Sequence, residues 1–422
     1  MAIHPNKTYI GCVMEKNPDI SPSGNASDDF DIVVIGGGLT GQAAALALSA
    51  KSYKIALVSG PPAAADGRTV ALMPESLDFL NSLGMGTLLD QQGAPLIRLR
   101  LIDDSGSLFR PPSVLFHAKE LGLDAFAINI ENSRLDQGLS EKVKEKNNIT
   151  AISDRFEDSL IESAGRLVKL ASGRVLTTRL LIAADGRNSK TRAALKIGTT
   201  TNAYDQVAVT AIFEHSRSHE DCSTEFHTRT GPFTLVPLPD RHSSLVWLTK
   251  PAQGQSLIEK DETEFSKICE QQTQSILGRM HLAGQRSLVP MARLQVEQIN
   301  AERAVLIGDA AHAFPPIGAQ GLNLGLRDAA DLAKCLADQT LSGLNDPGAA
   351  TLCTAYAHSR KDDISLRLQG VDMLNRSLLS PYLPLDFLRG AGLLALSSVT
   401  PLRRFVMQQS IGRAKLPRWM GG

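Results

Sequence analysis

The segment from Gly308 to Gly325, GDAAHAFPPIGAQGLNLG, contains residue types that suit the binding of an electron-rich group. Asp309 follows a hydrophobic run, two prolines stiffen the chain after it, and glycines and amides lead into a sequence that favours a helix. Backbone N–H groups at the start of a helix stabilise negative charge. The segment is therefore a candidate binding loop, and an ordinary loop that caps a helix is the alternative.

A second glycine-rich segment, Gly36-Gly-Gly38-Leu-Thr-Gly41, has the pattern G-x-G-x-x-G. A β-branched apolar run precedes it from Asp31, and an Ala/Leu segment of high helix propensity follows it to Ala50. In a strand, turn and helix of this kind, Gly36 permits the tight turn, Gly38 lets a pyrophosphate approach the backbone, and Gly41 allows close helix packing. The pattern predicts dinucleotide binding, and a tight turn without a ligand is the alternative.

The acid that usually holds the ribose hydroxyls at the end of the second strand is missing. The run from Ile55 to Val58 leads instead to Ser59, which offers one neutral hydrogen bond in place of a charge-assisted pair. Arg68 lies in a loop that we expect to precede a helix, and it is a candidate to hold phosphate or ribose. A solvated loop arginine is the alternative.

Two further motifs follow short apolar runs that are typical of buried strands. The run RLLIAA leads to Asp185-Gly186, and the run RAVLI leads to Gly308-Asp309. Because α/β folds bind ligands at the carboxyl edge of their sheet, both motifs are candidate site residues.

Composition excludes several classes of protein. The chain has 422 residues, which predicts two or three domains, and its 44 basic residues equal its 44 acids, so its charge offers no case for a nucleic-acid partner. The five cysteines have neither metal-ligand spacing nor an even disulfide framework, so we expect reduced thiols and no metal. The sequence contains no run of about 18 uninterrupted apolar residues, so we expect no membrane-spanning helix.

The pattern of the whole chain predicts an α/β fold in which a Rossmann-like nucleotide-binding domain carries an inserted antiparallel sheet. The strand-like segments VAVTAIFEH, FTLVPLP and SSLVWL fall between residues 200 and 290. We expect a flexible leader over 1–29, a discontinuous binding domain over 30–200 and 290–365 with an excursion near 100–125, an inserted substrate domain over 201–289, and a helical C-terminal segment over 366–422.

The GxGxxG, DG and GD motifs, in this order over most of the chain, resemble those of the class A FAD monooxygenases, the aromatic hydroxylases of the p-hydroxybenzoate hydroxylase fold. Further segments are similar to the ubiquinone-biosynthesis hydroxylases, namely D-x-R-x-x-A-L-x-x-x-S, GPFTLVPLP, IGDAAHAFPPIGAQGLNLGLRDA and GRAKLPRWMGG. The resemblance extends from about residue 30 to the end, and the GD segment is its most specific part.

The resemblance implies roles for individual residues. It implies that Asp309 hydrogen-bonds the ribityl chain of FAD, that Arg68 contacts the FAD phosphate or ribose, and that Asp185 takes part in NAD(P)H use. It also implies that backbone N–H groups from Gly318 to Asn323 stabilise the negative edge of reduced flavin. The full set of implied cofactor-binding residues is Gly36, Gly38, Gly41, Ser59, Arg68, Asn132, Asp185, Gly186, Gly308, Asp309, Gly318, Gly321, Leu322 and Asn323, with Pro315 and Gln320 in the flavin-facing loop.

The implied activity is hydroxylation of the aromatic ring of a polyprenylated ubiquinone precursor. FAD is the implied cofactor, NAD(P)H and O2 are the co-substrates, and a flavin C4a-hydroperoxide is the oxidant. Because the cofactor itself activates oxygen, no catalytic side chain is assigned, and His312 is expected to pack beside the cofactor.

Other activities are weighed on the same residues. A hydroxylase of a small soluble phenol would share every motif. A flavin-binding scaffold with weak turnover stays open because Ser59 stands where the family usually has Glu, and Ser133 where an arginine often follows Asn132. A flavin halogenase would need the motif W-x-W-x-I-P, and a disulfide oxidoreductase would need a close cysteine pair; the sequence contains neither.

The C-terminal segment is basic. Residues 381–422 carry six basic residues against one acid, and apolar residues recur at helical steps from Leu385 to Val399, followed by Arg403 and Arg404. A basic amphipathic helix binds a membrane interface, and packing on the protein's own surface is the alternative. Because a prenylated substrate resides in the bilayer, the resemblance favours a cytoplasmic protein at the membrane face, with other ubiquinone-biosynthesis proteins as partners.

Overall fold

The computed structural model describes residues 28–61, 67–106, 112–162, 165–313, 320–343, 345–379 and 403–404, with the backbone alone over 366–379. In chain order its strands are β1 (Asp29–Ile35), β2 (Ile55–Ser59), β3 (Thr69–Leu72), β4 (Ala94–Pro95), β5 (Arg98–Asp103), β6 (Val114–His117), β7 (Ile128–Glu131), β8 (Ile149–Ser153), β9 (Phe156–Glu162), β10 (Gly165–Leu170), β11 (Val175–Ala183), β12 (Thr199–His215), β13 (Cys222–Thr228), β14 (Gly231–Leu238), β15 (His242–Thr249), β16 (Met280–Leu282), β17 (Ser287–Val296), β18 (Asn300–Ala301), β19 (Ala304–Leu306) and β20 (His312–Ala313).

The helices, again in chain order, are α1 (Leu39–Ser49), α2 (Pro74–Ser82), α3 (Gly86–Gln92), α4 (Asn132–Lys144), α5 (Lys190–Ala194), α6 (Pro251–Glu259), α7 (Glu262–Gln272), α8 (Gln320–Leu341) and α9 (Ala350–Leu379). Short 3-10 turns lie at Ala118–Leu121 and Gly308–Ala310. No helix in the described ranges is both long enough and apolar enough to cross a membrane. Residues 1–27 of the expected leader lie outside the described residues.

The first sheet has parallel strands at its centre, in the order β18-β19-β11-β1-β2-β8. Strand β1 is parallel to β11 and β2, and β11 is parallel to β19. Ile32, Val33 and Val34 of β1 have no exposed surface, because both faces of the sheet are covered at this point, and this part of β1 is therefore an unbroken apolar run. The carboxyl ends of β19, β11, β1 and β2 lie side by side at one edge of the sheet.

Helices cover one face of this sheet and a hairpin covers the other. Side chains of α1, α4, α8 and α9 form one core with Ile32 and Val34. On the opposite face Val33 and Val58 pack against Val168 of β10, which forms an antiparallel hairpin with β9. The hydroxyl of Tyr356 in α9 donates to the carbonyl of Leu306 at 3.0 Å, and this bond ties α9 to the end of β19.

The second sheet is mostly antiparallel and has nine strands, in the order β20-β17-β12-β15-β14-β13-β5-β6, with β16 paired to β12. Strands β5 and β6 join it from the earlier part of the chain, because β5 pairs with β13. Helices α6 and α7 cover one of its faces. Phe265 of α7 packs there with Phe213, and Phe233 meets Trp247 edge to face at 5.1 Å between ring centroids.

A small third sheet, β3-β7-β4, connects the two larger ones. The hydroxyl of Thr69 in β3 donates to the hydroxyl of Ser244 in β15 at 2.8 Å. The side-chain amide of Asn129 in β7 donates to the carbonyl of Pro237 in β14, also at 2.8 Å. Buried polar bonds of this kind fix how the second sheet sits against the first.

The α/β fold with an antiparallel insert and a helical C-terminal part is confirmed, and two local features differ from the expectation. Arg68 precedes helix α2 as expected, but the four-residue strand β3, paired with β7, lies between them, and the sequence did not predict that strand. Helices α6 and α7 lie within the insert that the sequence predicted to be rich in strands, and neither helix was predicted. Pro251 begins α6, and the side chain of Asp261 caps α7 by accepting from the N–H of Glu264 at 2.8 Å. The domain boundaries at residues 200 and 290 stay a prediction.

Candidate functional site

Four segments named in the sequence analysis come together where β1, β2, β11 and β19 end. They are Gly36–Gly41 after β1, Ser59 at the end of β2, Asp185-Gly186 after β11 and Gly308-Asp309 after β19. The strands bring them together in register, since Ile35 lies opposite Val58 on one side and Ala183 on the other. This shared edge is the candidate site.

The three glycines of the first motif serve different purposes. Gly36 has φ +116°, and a Cβ there would lie 2.2 Å from the carbonyl oxygen of Ala184. A Cβ at Gly41 would lie 1.9 Å from the carbonyl oxygen of Gly36. Gly38, in contrast, has φ −76°, and no heavy atom of the described residues lies within 4 Å of a Cβ placed there. Gly36 and Gly41 are therefore required by the fold, whereas Gly38 leaves space open at the N-terminus of α1.

The start of α1 is free to bind an anion. No side chain caps it within the described residues, so the N–H groups of its first turn are available to a ligand. Gln42 connects the turn to α4. Its side-chain amide donates to the carbonyl of Gly37 at 2.8 Å and to the carboxylate of Asp136 in α4 at 2.7 Å. Sequence reasoning missed Gln42, although it directly follows Gly41.

Asn132, at the start of α4, and Arg68 lie next to each other. The backbone N–H of Asn132 donates to the carbonyl of Arg68 at 3.0 Å, and the Arg68 side chain is exposed. The Asn132 Oδ1 atom is buried and has no hydrogen-bond partner among the described residues. A buried acceptor without a donor is costly, so a ligand that donates to it would stabilise the site.

Asp185 is used within the chain. Its carboxylate accepts hydrogen bonds from the hydroxyl of Ser189 and, at 3.0 Å each, from the N–H and hydroxyl of Thr191 at the start of α5. Arg192, which is 8% exposed, then donates to the carbonyl of Ala310 at 2.9 Å. These bonds connect the DG segment to the GD segment and give both a fixed shape.

Asp309 points away from the protein interior. It follows β19, whose three residues are fully buried, yet its own side chain is exposed. Gly308 has φ +59°, in the left-handed region, and makes the turn that reverses the chain direction before Asp309. An exposed carboxylate at the end of a buried strand is available to accept hydrogen bonds from a ligand.

Asp328 of α8 holds the GD segment from the protein side. Its carboxylate accepts a hydrogen bond from the N–H of Gly308 at 2.8 Å, lies 2.7 Å from His312 Nε2, and accepts from Arg360 Nε at 2.7 Å. Burial raises the pKa of Asp328, but the charge and hydrogen bond of His312, the charge of Arg360 and the hydrogen bond from the N–H of Gly308 together lower it by more, so the pKa lies below its usual value. The carboxyl is therefore ionised at neutral pH.

The network around Asp328 explains His312. Its side chain is fully buried and lies 2.7 Å from Asp328, while the expectation that it packs beside the cofactor stays a prediction. Arg360, 1% exposed, also contacts Asp331 and Asp363 within 2.9 Å. Sequence reasoning missed Asp328 and Arg360. The sequence feature that could have indicated Asp328 is its position three residues after Gly325, the last glycine of the loop segment.

The start of α8 forms the remaining wall. Asn323 has no exposed surface, and its side chain accepts from the N–H of Met73 at 2.9 Å and donates to the carbonyl of Ala71 at 2.8 Å. It therefore fixes the segment after β3 against α8. Gln320, Gly321 and Leu322 lie in the first turn of α8, whereas Pro315 and Gly318 lie outside the described residues.

These features fit FAD. The open space at Gly38 and the uncapped start of α1 suit a pyrophosphate, and the exposed carboxylate of Asp309 suits a chain of hydroxyls. The buried Asn132 Oδ1 is a further acceptor for a donor group of the cofactor. The described residues contain no group of three side chains that could hold a metal ion.

The described cysteines are unreactive thiols. Cys222, Cys269, Cys335 and Cys353 are all free. Burial raises the pKa of Cys353 to about 11, and it raises the pKa values of the other three as well. A thiol with a raised pKa is a poor nucleophile at neutral pH. Cys12 lies outside the described residues.

Replacing Gly38 with Ala tests the site without changing the fold. A methyl group there meets no described atom, and Ala in place of Gly at a helix N-cap costs at most about 1 kcal/mol. We expect the Gly38→Ala apoprotein to unfold near the wild-type temperature but to bind FAD at least about tenfold more weakly, because the methyl group occupies the ligand's space. Gly41→Ala is the matched change that should fail to fold. Wild-type FAD affinity in Gly38→Ala would contradict this assignment.

Replacing Asp309 with Ala removes an acceptor from the ligand side alone. Because the side chain is exposed, we expect little change in the apoprotein's thermal unfolding, with a loss of FAD affinity of about 10- to 100-fold in a titration followed by flavin fluorescence. Asp78→Ala, which removes an exposed carboxylate from α2, is the control and should leave FAD affinity unchanged. If Asp309→Ala and Asp78→Ala bind FAD with equal affinity, Asp309 is excluded from the site.

Comparison with known proteins identifies the family of this chain. The family model described as an FAD binding domain matches residues 29–365. The ubiquinone hydroxylase UbiL of Rhodospirillum rubrum is 30% identical over 95% of this chain and 94% of its own length. The mitochondrial ubiquinone biosynthesis monooxygenase of Caenorhabditis elegans is 30% identical over 91% of this chain and 96% of its own length.

Solved structures share the fold. The probable FAD-dependent monooxygenase PqsL from Pseudomonas aeruginosa superposes with a TM-score of 0.74 at 20% identity, covering 87% of this chain and 99% of its own. HpxO from Klebsiella pneumoniae, complexed with FAD and uric acid, superposes with a TM-score of 0.73 at 17% identity, covering 91% and 96%. The chain belongs to the FAD-dependent monooxygenases of the FAD binding domain family, in the group of the ubiquinone hydroxylases.

Proposed function

We propose that this protein uses NAD(P)H and O2 to hydroxylate the aromatic ring of a polyprenylated ubiquinone precursor, with FAD as its cofactor. The observation that carries the proposal is the exposed carboxylate of Asp309 at the end of a buried strand, on the same edge as the open glycine turn after β1. Similarity to ubiquinone hydroxylases over nearly the whole chain supports the choice of substrate class.

The chain's own residues bind and orient the cofactor. Bound FAD would supply the redox chemistry, in which NAD(P)H gives up a hydride, one atom of O2 enters the ring and the other atom leaves as water. The pyrophosphate binds at Gly38 and the start of α1, and the ribityl hydroxyls donate to Asp309. The N–H groups of Gly321 and Leu322, at the start of α8, stabilise the electron-rich rim of the reduced ring system.

The remaining assignments concern the adenosine half and the co-substrate. Arg68 contacts phosphate or ribose, and Ser59 offers one hydrogen bond to a ribose hydroxyl. Asn132 Oδ1, which lacks a donor among the described residues, accepts from the cofactor. Asp185 and Gly186 shape the place where NAD(P)H approaches.

The second sheet supplies one wall of the substrate cavity. We call its inner face the one that carries Ala208 and Leu248, because these side chains pack with Leu324 of α8. The same face carries Val246 and Met291, so the wall is largely apolar. An apolar wall next to the cofactor suits a prenylated ring and excludes water from the reaction.

Contact with a membrane surface is part of the proposal. The basic C-terminal segment supports it, as does the residence of prenylated phenols in bilayers. One basic side chain of this segment, Arg403, binds the protein's own surface. It forms two hydrogen bonds of 2.6 Å with Glu120 and lies 4.6 Å from the centre of the Phe116 ring. These bonds from Arg403 lower the pKa of Glu120. Arg404 is exposed, and residues 380–402 lie outside the described ranges.

An assay with matched phenols tests the proposal. Purified protein loaded with FAD is given NAD(P)H, O2 and either phenol or 2-geranylphenol, with and without vesicles that contain anionic lipid. We expect a hydroxylated product, identified by mass spectrometry, from 2-geranylphenol, with a higher rate when vesicles are present because both protein and substrate gather at their surface.

Each other result favours a named alternative. Faster turnover of phenol, with no effect of vesicles, would favour a hydroxylase of a small soluble phenol. NAD(P)H oxidation that neither phenol stimulates would favour a flavin-binding scaffold. Absence of FAD binding would contradict the proposal at its first step.

A further inference from the structure

Two titratable side chains, Glu225 and His227, lie on the inner face of the second sheet. Side chains alternate along β13, so Glu225 and His227 share one face, whereas Phe226 between them lies in the core under α6 and α7. Glu225 is opposite Thr234 of β14, and Thr234 is opposite Val246 of β15. Glu225, Thr234 and Val246 therefore form one row across the sheet.

This row faces the FAD-binding part of the chain. Val246 packs in the cluster that contains Leu324 of α8. Ser244, on the same face of β15, accepts a hydrogen bond from Thr69 of β3. Neighbouring strands are about 4.8 Å apart, so Glu225 lies about 10 Å along the sheet from Val246. Glu225 is therefore on the same face of the sheet as the contacts with α8 and β3, two strands away from Val246.

The carboxylate of Glu225 is held from two sides. His227 Nε2 lies 2.7 Å from Oε1, and the hydroxyl of Thr234 donates to Oε2 at 3.3 Å. The Glu225 side chain is 27% exposed and that of His227 is 12% exposed. A carboxylate can accept about four hydrogen bonds, and the described residues supply these two to it.

The charge of Glu225 suits an acceptor. Burial raises the pKa of Glu225. The hydrogen bond and charge of His227 and the hydrogen bond of Thr234 lower it by a larger amount, so the pKa lies below its usual value. The group is therefore an ionised acceptor at neutral pH. Next to it in the same row lie Leu101 of β5 and then Val114 of β6, which are apolar. An ionised group in a row that also carries Leu101, Val114 and Val246 is a specific recognition point for a polar atom on an otherwise apolar ligand.

We propose that Glu225 accepts a hydrogen bond from the ring hydroxyl of the phenolic substrate, with His227 and Thr234 holding the carboxylate in place. The inference rests on the proposed function. A hydroxyl that donates to a carboxylate releases electron density into its ring, at the positions ortho and para to it, and so favours attack on an electrophilic oxygen atom. Glu225 would thus both orient the ring and activate it.

A change in the ligand tests the proposal without any substitution. The dissociation constants of 2-geranylphenol and of its methyl ether, 2-geranylanisole, are measured on the wild-type FAD-loaded protein through the change in flavin absorbance. The ether cannot donate a hydrogen bond. We expect it to bind about 10- to 100-fold more weakly than the phenol, the range for a hydrogen bond to a charged group.

The Glu225→Gln variant then assigns the effect to this residue. We expect it to reduce the preference for phenol over ether by about tenfold, because the glutamine oxygen is a neutral acceptor. Its FAD content should equal that of the wild type, since Glu225 lies on the substrate side. Glu214→Gln, which changes an exposed glutamate on β12 of the same sheet, is the matched control and should keep the full preference.

The possible failures are distinct. If the wild type binds phenol and ether equally, or if Glu225→Gln keeps the full preference, the assignment of Glu225 is wrong and the proposed function stands. If the wild type binds neither compound, the proposed substrate class is wrong and the assignment falls with it. The wild-type comparison decides the matter even where the variant does not fold.

Discussion

A buried carboxylate, that of Asp328, organises the site. A charge without exposed surface is tolerated only when hydrogen bonds and opposite charges compensate it, and Asp328 is compensated by Gly308, His312 and Arg360. These partners belong to the turn after β19, to the segment that follows it and to α9. Breaking such a group by removing one partner typically costs about 3–5 kcal/mol. The position of the GD turn is therefore fixed by a strong constraint deep in the protein.

Around this constraint lie two parts of the proposed site, a rigid edge at which we propose that the cofactor binds and a sheet surface that we propose as the substrate wall. At the cofactor edge, close contacts such as that of Gly36 with Ala184 leave no room for side chains, while Gly38 and Asp309 are open toward the ligand. The substrate wall is a sheet surface, where each residue can change without disturbing its neighbours' backbone bonds. A fold that combines a rigid edge for the cofactor with a variable wall for the substrate can keep one cofactor and accept many substrates.

The sequence predicted what short segments encode. Strand, turn and helix around Gly36, and the apolar runs that lead to Asp185 and Asp309, follow from local propensity and glycine spacing. It did not predict strand β3 after Arg68, because a four-residue strand exists only through its pairing with β7. It also did not predict the partners of Asp328, because 32 residues separate that side chain from Arg360. Contacts between distant segments leave no periodic signal in a single sequence.

The most direct test of this account compares two aspartates that each bind an arginine near the same strand. Asp328 holds the carboxyl end of β19, and Asp346 accepts from Arg303, just before the amino end of β19, at 3.0 and 3.1 Å. The dissociation constant of FAD is to be measured for Asp328→Asn and Asp346→Asn at a temperature where both apoproteins are folded. The account predicts FAD binding at least about tenfold weaker in Asp328→Asn and unchanged in Asp346→Asn. Equal FAD affinity in the two variants would contradict it.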